Sequence, residues 1–88
     1  MKGSYAYETS MIHYRWENHL THRYYRVLLT QDLFGQWLLT KIWGGINQAT
    51  GRITHFPYPS YEEAIKAIDQ IAKIRIKRGY ALTSQFID

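Results

Sequence analysis

The sequence predicts an α+β fold: a small antiparallel sheet of four or five strands with one helix packed across one face. Three features of the chain predict it. Apolar residues recur every second position in successive segments after residue 10, which is the period of a half-buried strand. Short turn clusters separate those segments, notably Asp32-Leu33-Phe34-Gly35 and Asn47-Gln48-Ala49-Thr50-Gly51. After Pro57 and Pro59 the period changes once, to that of an amphipathic helix, and it does so behind a clear start signal.

Taken in order, residues 1–10 show no period and read as a flexible tail, leaving 11–88 as a single domain. Ile12, Tyr14 and Trp16 then alternate with His13, Arg15 and Glu17, the first strand. Residues 18–22 read as a loop. The second strand covers 24–30, with Tyr25, Val27 and Leu29 on one side and Tyr24, Arg26 and Leu28 on the other. The turn at Asp32 to Gly35 reverses the chain into a third strand, 36–43. Trp37, Leu39, Lys41 and Trp43 share one side of it, Leu38, Thr40 and Ile42 the other, and apolar residues on both sides mark a central strand. Gly44-Gly45 stops this run and leaves Trp43 at a strand end beside unshielded backbone. Gly51 is suited to a left-handed position in the next hairpin. The fourth strand, 52–56, ends at Pro57 and Pro59, since proline cannot donate to a ladder.

Ser60-Tyr61-Glu62-Glu63 has the form of a capping box. Ala64, Ile65, Ile68, Ile71 and Ala72 form the buried stripe of the helix that follows. Acidic residues in its first turn and Lys73, Arg75, Lys77 and Arg78 near its end match the helix dipole. Gly79 ends it, and residues 80–83 have the character of an edge strand.

The totals narrow the function classes. A chain of 88 residues has a thin core, burying about 60% of its unfolded surface. It has no cysteine, so neither a disulfide framework nor a thiolate zinc site is available. Packing relies on eight Tyr, three Trp and three Phe, more aromatics than one thin core needs. Some of the excess is expected on the open side of the sheet or at its rim, where an apolar patch marks a partner. No stretch approaches a membrane span, and the first ten residues lack the apolar core of a signal peptide, so a soluble cytoplasmic protein is expected. A net charge of +4 is compatible with a nucleic-acid partner and equally with an ordinary basic surface.

The run Tyr24-Tyr25-x-Val27-x-Leu29, then Asp32-Leu33-Phe34-Gly35-x-Trp37-x-Leu39, then Trp43-Gly44-x-Ile46, resembles the WGR domain, most closely its short stand-alone bacterial members. Gly51, Phe56, Ser60, Ala64, Lys77 and Gly79-Tyr80 fall where the family has later landmarks, so the resemblance spans about residues 24–80. It implies a sheet on one helix and a DNA-binding role. In the DNA-dependent poly(ADP-ribose) polymerases, the motif tryptophan of such domains packs on a terminal nucleotide. That tryptophan matches Trp43, and the motif glycine matches Gly44. The motif arginine falls on Gly45, so its role does not carry over to this chain.

The expected site is therefore centred on Trp43 and Gly44. Trp43 has two readings, a core residue closing the sheet or a platform on which a base stacks, worth about 1–3 kcal/mol in single-strand binders. Lys41 and Arg52 lie near it by strand spacing, and Arg15, Arg26 and Trp37 are expected to extend the same patch. Lys73, Arg75, Lys77 and Arg78 form a second group of phosphate contacts, with helix-dipole and solubility roles as the simpler account. His19 and His22 lack a third ligand, and no metal site or cofactor is expected. No Cys nucleophile, Gly-x-Ser-x-Gly, phosphate loop or dinucleotide motif is present, so no catalysis is expected; the resemblance implies nucleic-acid binding, DNA before RNA. The alternative is a protein-interaction or homo-oligomerisation module that uses an open aromatic sheet face.

Overall fold

A computed structural model describes residues 11–87. The tail expected over residues 1–10 lies outside the described residues. The elements are β1 (Met11–Asn18), β2 (Arg23–Gln31), β3 (Trp37–Gly45), β4 (Gly51–Tyr58), α1 (Tyr61–Lys77) and β5 (Ala81–Ile87). The five strands form one sheet in the order β4-β3-β2-β1-β5, with every neighbouring pair antiparallel. The α+β class, the central place of β3 and the single helix all agree with the sequence.

Alternation assigns the faces. Ile12 and Trp16 of β1, Val27 and Leu29 of β2 and Leu39 of β3 are buried, and Ala64, Ile68 and Ile71 of α1 pack on them. The pairings Leu29 with Leu39 and Tyr25 with Trp43 keep these residues on one side of the sheet, because side chains opposite each other in a ladder share a face.

The turn between β2 and β3 is built as the sequence predicts. The Asp32 carboxylate accepts from the backbone N–H groups of Phe34 and Gln36, both at 2.9 Å, while Gly35 takes φ +84°. The hairpin between β3 and β4 differs from expectation. Gly44 and Gly45 are buried and continue β3 rather than stopping it, paired with Tyr24 and Arg23. Asn47, not Gly51, takes the left-handed conformation, at φ 66°. Gly51 is needed for space: a Cβ there would stand 2.6 Å from the Tyr24 hydroxyl and 2.9 Å from the Trp43 carbonyl oxygen. The Tyr24 side chain lies against Gly44 and Gly51 and covers the backbone that the glycines leave bare. Pro57 lies within β4, which tolerates it because β4 is an edge strand.

The helix starts at Ser60, whose hydroxyl oxygen accepts from the Glu63 N–H at 3.2 Å. The reciprocal half of the predicted capping box takes another form: the Ser60 hydroxyl donates to the Glu63 carboxylate at 3.3 Å. At the other end Gly79 takes φ +89°, and its N–H donates to Ile76 O while Tyr80 N–H donates to Arg75 O. These two bonds make a Schellman motif and satisfy carbonyls that a helix end leaves free.

The course of α1 across the sheet decides what is covered. Its first residue, Tyr61, meets Trp37 edge to face at 5.0 Å, near the β3–β4 side. Its end lies at β1, where the Asn18 side-chain amide donates to Arg78 O at 3.1 Å. The helix therefore runs diagonally, from β4 towards β1, and the corner where β3 ends and β4 begins has no helix above it.

Candidate functional site

That uncovered corner holds Trp43. The indole is half-buried, although its position in the ladder assigns it to the core side of the sheet. It stacks on Tyr25, with ring centroids 5.9 Å apart and planes within 16°. Tyr25 is held from above by Arg75, whose guanidinium carbon lies 4.2 Å from the ring centroid. Arg75 also lies 4.9 Å from the Tyr80 ring. Tyr80, Arg75, Tyr25 and Trp43 thus form one continuous stack from the helix end to the corner, each cation–π step contributing roughly 0.5–2 kcal/mol. Burial pushes the Tyr25 hydroxyl above the ordinary phenol range, and Arg75 pulls the other way.

Beside the indole is a hollow of about 320 Å3, lined by Arg23, Trp43, Gly44, Gly45, Gln48, Thr50, Gly51 and Arg52. No residue of α1 contributes to it, in keeping with the diagonal path of the helix. Arg52 is directly opposite Trp43, and Arg23 is directly opposite Gly45. Lys41 lies one step back on the same side, its ammonium 4.4 Å from the Phe56 ring centroid. Two polar atoms on this side, Thr54 Oγ1 and Arg75 Nε, are buried without a hydrogen-bond partner among the described residues. Neither residue lines the hollow itself.

Of the predicted site residues, Trp43, Gly44 and Arg52 line the hollow, while Lys41 lies behind it against Phe56. Trp37 is not part of it. It is on the same side of the sheet but six residues along β3, about 20 Å away, in contact with Tyr61. Arg15 and Arg26 are on the opposite side, because they pair with each other and Arg26 with Ile42. Both are engaged there. Arg15 donates to Glu17 at 2.7 Å and lies over Tyr24, and Arg26 donates to His13 Nε2 at 3.1 Å.

Of the helix-end group, Lys73, Lys77 and Arg78 point to solvent, whereas Arg75 turns inward. Sequence reasoning placed Arg75 with the solvated cations, yet it continues the spacing of Ala64, Ile68 and Ile71 and so lies on the buried stripe. Arg23 was missed altogether. Its signal was its place two residues before Tyr25, on the same side of β2.

The open side of the sheet carries Tyr24 and Phe86 but no tryptophan. Trp16, Trp37 and Trp43 all lie on the helix side, with Tyr14, Tyr25 and Tyr58. The tryptophans serve the core, its junction with Tyr61 and the uncovered corner. Among the described residues no three His, Cys, Asp or Glu side chains gather where they could hold a metal ion. Among the described residues no helix is long and apolar enough to cross a membrane.

The arrangement of β3, with Trp43 and Gly44 at the mouth of a basic hollow, agrees with a comparison by sequence. A family model described as the WGR domain matches residues 9–87, nearly the whole chain. The chain belongs to the WGR family. No curated protein and no solved structure matches it. WGR domains are in general nucleic-acid-binding modules. In this WGR domain the motif tryptophan and glycine occupy the hollow, and the third motif position is a glycine. The Gln48 side chain folds over that glycine, so a Cβ on Gly45 would meet it at 2.8 Å.

Proposed function

We propose that this WGR domain binds nucleic acid, DNA in preference to RNA, by stacking on Trp43 and by phosphate contacts from the surrounding cations. It does so without catalysis and, on this reading, in the cytoplasm. The observation that carries the reading is the state of the Trp43 indole. One face is backed by Tyr25, the ring is only half-buried, and the hollow next to it is lined by arginines and by no acid. A base or sugar edge can pack there while phosphates meet guanidinium groups, which bind phosphate bidentately. Such contacts grip the backbone and read little sequence.

The test is a fluorescence titration with blunt, nicked and single-stranded DNA and with RNA of the same sequence, at two salt concentrations. Submicromolar, salt-sensitive binding is expected, tighter for DNA. Replacing Trp43 by Ala is expected to weaken it about 5- to 150-fold, the equivalent of 1–3 kcal/mol of lost stacking. Absence of binding at low salt removes the reading.

A second reading is favoured by β5. All seven of its residues are exposed, including Leu82, Phe86 and Ile87, and none is charged or proline. Natural edge strands usually carry such guards against pairing, so this edge is suited to a second copy of the chain.

A further inference from the structure

We propose that Arg23 and Arg52 act as a pair that holds phosphates on either side of Trp43, so that a bound strand crosses β3 from β2 to β4 instead of running along it. The inference rests on the nucleic-acid reading of the same corner and assigns its contacts.

The ladder provides the geometry. Trp43 is on β3, with Arg23 on the neighbouring β2 and Arg52 on the neighbouring β4. Arg52 pairs with Trp43, and Arg23 pairs with Gly45, two residues further on. All three side chains therefore leave the sheet on the same side, and the two arginines stand two strand spacings apart and two residues offset along the strands, about 12 Å between backbone positions. The indole lies between them.

Their charges are uncompensated. Among the described residues neither arginine has a carboxylate within ion-pair distance, the only such pairs being Arg15 and His19 with Glu17. Asp32 is engaged in the turn at the opposite end of β3, and Glu63 in the helix cap. Both arginines line the same hollow. A guanidinium group stays charged at any physiological pH and presents a planar set of donors to phosphate oxygens.

Gly45 completes the argument. A side chain at this position would rise on the hollow side, directly opposite Arg23. Glycine leaves that space to Gln48, which folds over the position, and puts no side chain of β3 opposite Arg23. Next to Gly45 the guanidinium thus comes from β2, across the ladder from a residue that has no side chain, and Arg52 supplies the second from β4.

The test compares the wild-type chain with Arg23→Gln, Arg52→Gln, the double variant and a Lys66→Gln control on the exposed side of α1. Affinity for one duplex oligonucleotide is measured over a range of salt. Each arginine variant is expected to flatten the slope of log K against log salt by about 0.9, and the double variant by about 1.8. Lys66→Gln is expected to leave the slope unchanged. An Arg23→Gln slope equal to that of the control overturns the pairing while leaving nucleic-acid binding in place. If the wild-type chain binds no duplex, the broader reading has failed, and the pair is then tested with tripolyphosphate by following the arginine Nε–H resonances. Shifts at Arg23 and Arg52 together keep the phosphate pair, and silence at Arg23 overturns it.

Discussion

His13 shows how a single residue on the side of the sheet away from the hollow sets a pH limit for the fold. Its Nε2 accepts a hydrogen bond from Arg26, which requires the neutral ring. Burial, then Arg26, then Arg15 all hold its pKa below the ordinary histidine value of 6.5. The unfolded chain therefore binds this proton more readily than the folded one. Stability from the neutral ring is intact above about pH 6.5 and is lost as pH falls through the folded-state value. Chemical denaturation at pH 7.5 and 5.5 is expected to show a loss on acidification that His13→Gln reduces. Equal losses in the two proteins would show that Arg26 does not distinguish the two forms of the ring. Trp43 shows the opposite relation between a residue and its setting. Strand alternation alone puts it on the core side, and only the course of the helix makes it accessible.

At the scale of elements, α1 is held by its ends as much as by its stripe. Gly79 is in the left-handed region, and its Cα also faces the Asn18 amide, since a Cβ there would lie 3.3 Å from Asn18 Nδ2. Asn18 is itself buried, its side-chain oxygen accepting from the N–H groups of Leu20 and Thr21 while its amide caps Arg78. One side chain thus ties the β1–β2 loop to the helix end. Gly79→Ala is expected to cost about 1–2 kcal/mol for the left-handed backbone alone, and more if Asn18 is displaced. Ser60→Ala is expected to cost about 0.5–2 kcal/mol for its cap. Thermal or urea melts measure both. A neutral Gly79→Ala would mean that the motif relaxes without loss.

Much of this level was legible in the sequence. The Asp32 turn, the Ser60 start and the Gly79 stop each depend on side chains acting within a few residues, so local spacing reveals them. The Gly44-Gly45 continuation was not legible, because these glycines extend β3 by pairing with Tyr24 and Arg23 of β2, and the Tyr24 side chain that lies against Gly44 comes from that neighbouring strand. Arg15 and Arg26 were misplaced for a related reason. Which face a strand turns to its neighbour depends on register, and register is fixed only when strands pair.

For the whole molecule, the diagonal helix divides one side of the sheet into a covered core and an open corner. Two of the cations without a carboxylate partner among the described residues, Arg23 and Arg52, line that corner, while Arg15 is paired on the far side. The free β5 edge is the second consequence of this topology. On the reading that it joins two copies, light scattering is expected to find a dimer that Ser84→Lys disperses, since a charge on an edge strand opposes pairing. A monomer at every concentration removes that reading. The three tryptophans, all on one side but at different depths, give the molecule a built-in optical gauge. Trp16, 2% exposed, is a sealed reference, and Trp37 reports on the junction with Tyr61. Trp43 alone faces the arginine corner, so the colour of its emission registers an arriving guest with no dye attached.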